Sequence, residues 1–367
     1  MKILFLGDLH LGARNGNPNF LRMMDDYFKE ELFPYILENG VEVVVQLGDI
    51  LDKRRNIDFT ISNYLVNTFF KFFTDNKVYL YSTLGNHDVY YRQSIQLDGP
   101  SQFASGDYIH IVKDCRVVAF DKTKIAMTPW ICDENKEEVT NWIVENKNKN
   151  TILCGHFELA GFPIQKGYIS DKGSIETDKM KGYKCVLSGH YHSPSEKDKI
   201  TYIGTPYELT WSDYGDEKKF LVYDTVEKVF ETVYTKNKMF HKIMYKDDIL
   251  QTINYDTYKN SYVKVVLTDD YNEGKLNVFL SMLDEKAHPY SIQTIDIREQ
   301  KETLMEEISA DDVDNPIEIM MNTITSKVED EELCQLVKNL TYEIYQSAMD
   351  SLQWLYSKVL ALRTFSP

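Results

Sequence analysis

Short runs of apolar, largely β-branched residues recur through the first 225 residues, and most end in a short polar cluster. The runs are Lys2–Leu6, Val41–Leu47, Val78–Thr83, Lys124–Met127, Thr151–Cys154, Lys184–Leu187, Thr201–Ile203 and Phe220–Tyr223. Several are apolar on successive residues, the pattern of strands covered on both faces. Two stretches between the first three runs space their apolar residues by threes and fours. Phe20–Leu37 carries Leu21, Met24, Tyr27, Phe28, Leu32 and Ile36, and Thr60–Phe73 carries Ile61, Leu65, Phe69 and Phe72. Both spacings predict helices, and strand–helix–strand alternation predicts an α/β sheet.

The character changes after about residue 230. Tyr262–Leu267, Lys275–Lys286 and Ser291–Ile297 read as strand, helix and strand of a small α+β domain. An acidic segment follows. Then Leu333, Leu336, Val337, Leu340, Ile344, Ala348, Leu352, Leu355 and Val359 fall at helical spacing, which predicts one or two amphipathic helices. The expected divisions are therefore 1–228, 229–300, a linker at 301–328 and a helical segment at 329–367.

Composition narrows the class. The chain has 367 residues, enough for two domains at roughly 100–200 residues each. A hydrophobic content of 43% rules out disorder throughout. The net charge of −16 argues against coating nucleic acid by bulk charge. Residues 301–367 alone hold 5 basic and 13 acidic side chains, half of that excess. The five cysteines (115, 132, 154, 185 and 334) are odd in number and show no C-x-x-C spacing. A disulfide framework or Cys-rich zinc site is thus not expected, and a reducing compartment fits. Asp8 and His10 follow Met1–Leu6 too closely for a signal peptide, and no run approaches the ~18 apolar residues of a membrane span. A soluble, cytoplasmic protein with no membrane partner is expected.

The chemistry lies in the polar clusters. Asp8-Leu9-His10, Gly48-Asp49 and Gly85-Asn86-His87-Asp88 follow the first three runs, and Gly155-His156 and Gly189-His190-Tyr191-His192 follow later ones. Five of the eight histidines are in them. Ligands of α/β sheets bind beyond the carboxyl ends of strands, so these distant clusters are expected to converge. Asp, His and Asn suit Mn²⁺, Fe²⁺ and Zn²⁺. The seven candidate ligands are Asp8, His10, Asp49, Asn86, His156, His190 and His192. Two ions ~3.5–4 Å apart can share such a set through a bridging carboxylate. Each cluster alone could be an ordinary turn. Their joint occurrence, each after a strand-like run, points to a metal centre. His110, His241 and His288 lie outside the clusters and read as structural or solvated.

The pattern D-x-H, G-D, G-N-H-D, G-H and G-H-x-H resembles the calcineurin-like metallophosphoesterases. Within them the chain is similar to SbcD-type DNA repair nucleases, most closely the recombination endonuclease subunits of tailed bacteriophages. That similarity rests on Gly155-His156-Phe157-Glu158-Leu159-Ala160-Gly161-Phe162, on Thr128-Pro129-Trp130 and on Ile203-Gly204-Thr205-Pro206-Tyr207-Glu208-Leu209-Thr210. It covers residues 1 to about 225 well and fades beyond. It implies an α/β fold built as a four-layer β-sandwich flanked by helices, with the small domain capping the site for DNA and a C-terminal helical segment.

The resemblance also implies roles. Asp8, His10, Asp49 and His192 would hold one ion, and Asp49, Asn86, His156 and His190 the other, with Asp49 bridging. The ions are expected to be Mn²⁺, with Mg²⁺, Fe²⁺ or Zn²⁺ as alternatives. His87 would face the scissile phosphate, and Asp88 would orient His87. A second histidine found in some members a few residues after Gly-Asp is Asp52 here, which leaves that role open. Such a centre makes water nucleophilic near neutral pH for in-line attack on phosphorus.

The metal site by itself says phosphoester hydrolysis, which small-molecule phosphodiesterases and phosphatases share. The closer resemblance favours DNA: exonuclease action on duplex ends and endonuclease action on single strands. Lys53-Arg54-Arg55 and Tyr90-Tyr91-Arg92 could contact it, or could be a solvated loop and the start of a packing helix. The expected partners are an SMC-like ATPase of the SbcC type, bound through residues 330–361, and a second copy of the chain. For the homodimer, Thr60–Phe73 with its phenylalanines and the segment after Arg92 are candidate surfaces. A non-catalytic scaffold is disfavoured by the complete ligand set.

Overall fold

The computed structural model describes residues 1–165, 168–171 and 173–297, and six positions between Ile324 and Thr341. Apart from those six positions, the expected acidic linker and C-terminal helical segment lie outside the described residues. Contacts divide the chain into two units, Met1–Ile295 and Asp296–Pro367, and the site belongs wholly to the first.

Two six-stranded sheets form the first unit's main body. In spatial order the first is Val229–Tyr234, Lys219–Asp224, Lys2–Leu6, Val41–Gln46, Tyr79–Thr83 and Ile109–Val112. The second is Ser195–Lys197, Ile200–Tyr202, Cys185–Ser188, Thr151–Gly155, Thr123–Met127 and Arg116–Phe120. The last four strands of the first sheet run parallel, as do the middle four of the second.

Alternation along each strand builds the layers. Ile3, Phe5, Val43 and Val45 face Ile125, Met127, Ile152, Cys154 and Leu187 between the sheets. Leu4, Leu6 and Val44 face the helices on the outer side of the first sheet. Ala126, Leu153 and Val186 face Val139 and Ile143 of the helix Lys136–Glu145 outside the second. The unbroken apolar runs are therefore strands buried on both faces, and the expected four-layer sandwich is present.

Both long helices exist, each with a wide turn in the middle. The first is helical over Pro18–Tyr27, π-helical over Phe28–Leu32 and helical over Phe33–Glu38. Pro34 has no N–H to offer the preceding turn, and the Phe33 N–H reaches back five residues to the Phe28 carbonyl. The second is Phe59–Tyr64, a π-helical Leu65–Phe70 and Lys71–Asn76. Phe69, Phe70 and Phe73 are buried against the first sheet, and Phe72 stacks on Phe33 at 3.8 Å and 4°. This aromatic face covers the chain's own sheet.

Two readings change in the structure. Tyr90-Tyr91-Arg92 does not begin a helix; Val89–Tyr91 and Ser94–Asp98 pair as an antiparallel hairpin. The division expected at 228/229 falls between two neighbouring strands of one sheet, because Val229–Tyr234 pairs along its length with Lys219–Asp224. The small sheet begins later, with Phe240–Met244 parallel to Tyr262–Leu267 and with Ser291–Asp296 beside it. The helix Glu273–Ala287 buries Leu276, Phe279 and Leu283 in its core. Among the described residues, no helix is long and apolar enough to cross a membrane.

Phe28 is fully buried and meets the rings of Tyr27, Phe33, Tyr64, Phe69 and Tyr207. Phe28→Ala should cost about 3–5 kcal/mol, read as a lowered midpoint of urea unfolding followed by tryptophan fluorescence.

Candidate metal centre

The carboxyl ends of strands from both sheets meet at one edge of the sandwich. Asp8 and His10 follow Lys2–Leu6, Asp49 follows Val41–Gln46, and Asn86 to Asp88 follow Tyr79–Thr83. His156 follows Thr151–Gly155 from the second sheet, and His190 and His192 follow Cys185–Ser188. Residues far apart in sequence thus lie on five loops, and the fold brings all nine predicted residues together.

The loops turn sharply. His10, Asp49 and His190 have φ of 47°, 54° and 91°, in the left-handed region that side chains other than glycine seldom adopt. Such strain at a cluster of polar groups is a mark of functional sites. Gly48 shares this conformation at φ 95°, and a Cβ there would lie 2.6 Å from His156 Nδ1. Gln46, buried at the end of the Val-Val-Val run, ties the strand ends. Its amide oxygen accepts from Gly48 N–H at 3.0 Å and Ser82 Oγ at 2.6 Å, and its Nε2 donates to the Gly7 carbonyl at 3.2 Å.

Ligand atoms converge in three overlapping groups, two of which share Asp49. Asp8, His10 and His192 offer atoms within 4.8 Å of one another, as do Asp8, Asp49 and His156, and also His10, Asp49 and His87. His192 Nε2 lies 3.0 Å from His10 Nε2, which is 3.7 Å from Asp49 Oδ2. On the other side, His156 Nε2 lies 3.2 Å from Asp49 Oδ2 and 3.0 Å from Asn86 Oδ1. His190 Nδ1 is 2.9 Å from the same Asn86 oxygen. With the left-handed turn at His190, His190 faces Asn86 while His192 faces His10.

Proton placement follows from these contacts. His156 Nδ1 faces the Leu47 carbonyl at 2.8 Å, so that nitrogen donates. Its Nε2 faces a carboxylate and an amide oxygen, both acceptors, so without a bound cation that nitrogen carries a proton too. The field agrees. Burial opposes charge on His156, yet Asp49 and Asp8 raise it to about 9. Burial also opposes charge on His10, yet the Asp52 and Asp49 carboxylates raise it to about 9. Burial lifts Asp8 to about 7 against the pull of His156. It would lift Asp49 too, but His156 and His87 hold that carboxyl well below its ordinary range. Burial and the positive His156 push His190 down, and burial and His10 push His192 down to about 3. Asp, His and Asn donors in this arrangement fit a pair of divalent cations.

Asp88 does a different job from the one expected. Its buried carboxylate accepts from the backbone N–H groups of Asp49 at 2.7 Å, Gly85 at 2.9 Å and Leu51 at 3.1 Å. The His87 ring is held instead by the Asp52 carbonyl, 2.6 Å from Nδ1, while the His87 N–H donates to Asp49 Oδ1 at 2.7 Å. Asp52 also places a carboxylate oxygen 3.3 Å from His10 Nδ1, so it orients two of the site's histidines. Glu158 and Trp130, noted in sequence without a role, stand at the rim. Glu158 Oε1 lies 4.0 Å from His190 Nε2 and 3.7 Å from Arg92. The Trp130 ring sits 5.5 Å from His190 and donates Nε1–H to the Arg92 carbonyl at 3.1 Å.

A two-sheet sandwich with D-x-H, G-D, G-N-H-D, G-H and G-H-x-H at its strand ends defines a metallophosphoesterase. The chain belongs to the calcineurin-like phosphoesterase family, whose model matches residues 1–194. It is similar to "Exonuclease subunit 1" of Enterobacteria phage T4, 32% identical over 294 residues, covering 78% of this chain and 82% of that protein. It is also similar to "DNA double-strand break repair protein Mre11" of Nanoarchaeum equitans, 24% identical over 340 residues, covering 83% and 90%.

Two outcomes follow from the geometry. Excess Mn²⁺ should stabilise the protein by mass action, about 2.7 kcal/mol at a hundred times Kd. Asp49→Asn should abolish the rise in melting temperature, since Asp49 is common to two of the three groups. Asp88→Asn should weaken the fold by about 1–3 kcal/mol and lower Mn²⁺ affinity by calorimetry, although Asp88 offers no ligand atom.

Proposed function

We propose that this chain is the nuclease subunit of a DNA break-processing complex, hydrolysing phosphodiesters with two divalent ions. The observation that carries the reading is the sharing of Asp49 between two convergent donor sets in a chain 32% identical to a phage exonuclease subunit. Asp8, His10, Asp49 and His192 would hold one ion, and Asp49, Asn86, His156 and His190 the other. Such ions supply Lewis acidity and a water made nucleophilic near neutral pH, and Mn²⁺ suits these ligands.

The protein's own groups do the rest. His87 donates Nδ1–H to the Asp52 carbonyl, which leaves Nε2 with a lone pair that would take up a proton before giving it to the leaving oxygen. It is also near enough to Asp49 and His10 to count among possible ligands, so substitution must separate the two roles. Arg55 stacks over Tyr90 at 5.7 Å, and Arg92 and the exposed Tyr91 share that hairpin. These groups offer phosphate contacts and a stacking face for a strand entering the site. The small domain would cap that path. Exonuclease action on duplex ends and endonuclease action on single strands belong to this reading. So do a homodimer, an SMC-like ATPase partner docking on residues 330–361, and a cytoplasmic location. The word "subunit" in the phage relative's name supports a partner.

The purified chain with Mn²⁺ should degrade linear duplex DNA, cut single-stranded circles and hydrolyse bis-p-nitrophenyl phosphate. Turnover of p-nitrophenyl phosphate alone would make it a phosphatase, and no turnover a scaffold. His87→Ala should keep both ions by calorimetry and lose roughly 10²–10⁴-fold in rate; loss of an ion instead would make His87 a ligand. Truncation after residue 325 should abolish co-purification with the ATPase while metal-dependent hydrolysis persists.

A further inference from the structure

The stretch from Ile203 to Lys218 runs behind the first donor set and contributes no ligand to it. Tyr207, fully buried, donates its hydroxyl to the Leu9 carbonyl, between Asp8 and His10, at 2.6 Å. The Thr205 N–H donates to the His192 carbonyl at 3.1 Å. The same carbonyl accepts a second bond, 3.0 Å long, from Lys218 Nζ.

Lys218 is 1% exposed. A buried ammonium must be paired and its three protons must find acceptors. Here Asp213 Oδ1 lies at 2.8 Å and Asp216 Oδ2 at 3.4 Å, and the His192 carbonyl completes the set. Two carboxylates hold the lysine from one side, and a site residue's main chain is what it is held against.

The network continues away from the site. Asp213 Oδ2 accepts from the N–H groups of Leu209 at 3.0 Å and Thr210 at 2.8 Å. The preceding residue, Glu208, is buried, and its Oε2 accepts from Met239 at 2.9 Å and Phe240 at 3.0 Å. Those amides open the first strand of the small domain. Beside them the Trp211 ring packs 4.6 Å from Phe240, with Lys264 Nζ 4.0 Å above it. An unbroken path of short contacts therefore joins the His192 main chain to the seat of the small domain.

We propose that Lys218 is a positioning residue that fixes His192 and couples the first donor set to the seating of the small domain. The proposal rests on the reading that His192 holds a divalent ion. Coupling of this kind is reciprocal: an ion on His192 tightens the seat, and a loosened seat weakens that ion.

The test compares the full chain, Lys218→Met and Glu208→Gln. Mn²⁺ binding is titrated by calorimetry and electron paramagnetic resonance. The wild type should bind two ions and show the spectrum of an exchange-coupled pair. Lys218→Met should weaken one ion by about 10–100-fold, the range for groups that orient ligands, leave the other unchanged and give an isolated-ion spectrum. Hydrogen exchange at Met239 and Phe240 should slow when Mn²⁺ is added to the wild type and not when it is added to Lys218→Met. Two tight ions in a folded Lys218→Met, or equal weakening of both, would overturn the proposal. If Lys218→Met does not fold, Glu208→Gln decides by the same readout: weakening confined to one ion supports the coupling, and wild-type binding refutes it. A wild type that binds fewer than two ions refutes the two-ion reading itself, which is a separate failure.

Discussion

The site depends on one buried carboxylate that bridges two loops. Asp88 gathers the N–H groups of Gly85, Asp49 and Leu51 and so pins the turn after the second strand to the turn after the third. Without an acceptor there, three buried donors would be unsatisfied in a region closed to water. The strained backbone of Asp49 persists because these bonds over-determine it. Burial pushes the Asp88 carboxyl up to about 7, with the Asp49 charge adding to it, while the bonds from Gly85 and Leu51 pull it down. Everything Asp49 does for either donor set follows from this arrangement.

Around that bridge the protein concentrates carboxylates and imidazoles. Asp49 and the Asn86 oxygen face His156 Nε2, whose Nδ1 is committed to the Leu47 carbonyl, and Asp52 stands 3.3 Å from His10 Nδ1. Divalent cations suit such a donor set. The −16 total charge is therefore no guide to the substrate. Half of it lies beyond residue 300, and two of the catalytic domain's carboxylates are in the centre.

Legibility differed from residue to residue. Asp8, His10, Asp49, Asn86, His156, His190 and His192 could be found because each sits just past an apolar run, and strand ends are where α/β sheets gather ligands. Asp88 is visible as part of Gly-Asn-His-Asp, but the groups it meets are not. A carboxylate next to a histidine in sequence suggests a carboxylate–histidine pair, whereas the turn aims it at the neighbouring loop. Asp52 looked like a missing histidine and proved to orient two histidines, once by its side chain and once by its carbonyl. The phenylalanines near residue 70 suggested a surface for a second copy. Periodicity could not tell which partner they meet, and Phe33 and the first sheet occupy them.

The sequence by itself determined most of the element types in the two main sheets, the double burial of their strands and the kind of polar residue at each strand end. These are local properties: apolar alternation, β-branching and the chemistry of the residues that follow. Tertiary structure alone decided which ends meet, which nitrogen of each histidine faces the centre and which groups stand behind the ligands. Gln46, Lys218 and Glu208 read as unremarkable polar residues along the chain. Their partners lie across loops and between domains, and a buried polar group's role is set by the acceptor or donor the fold brings to it.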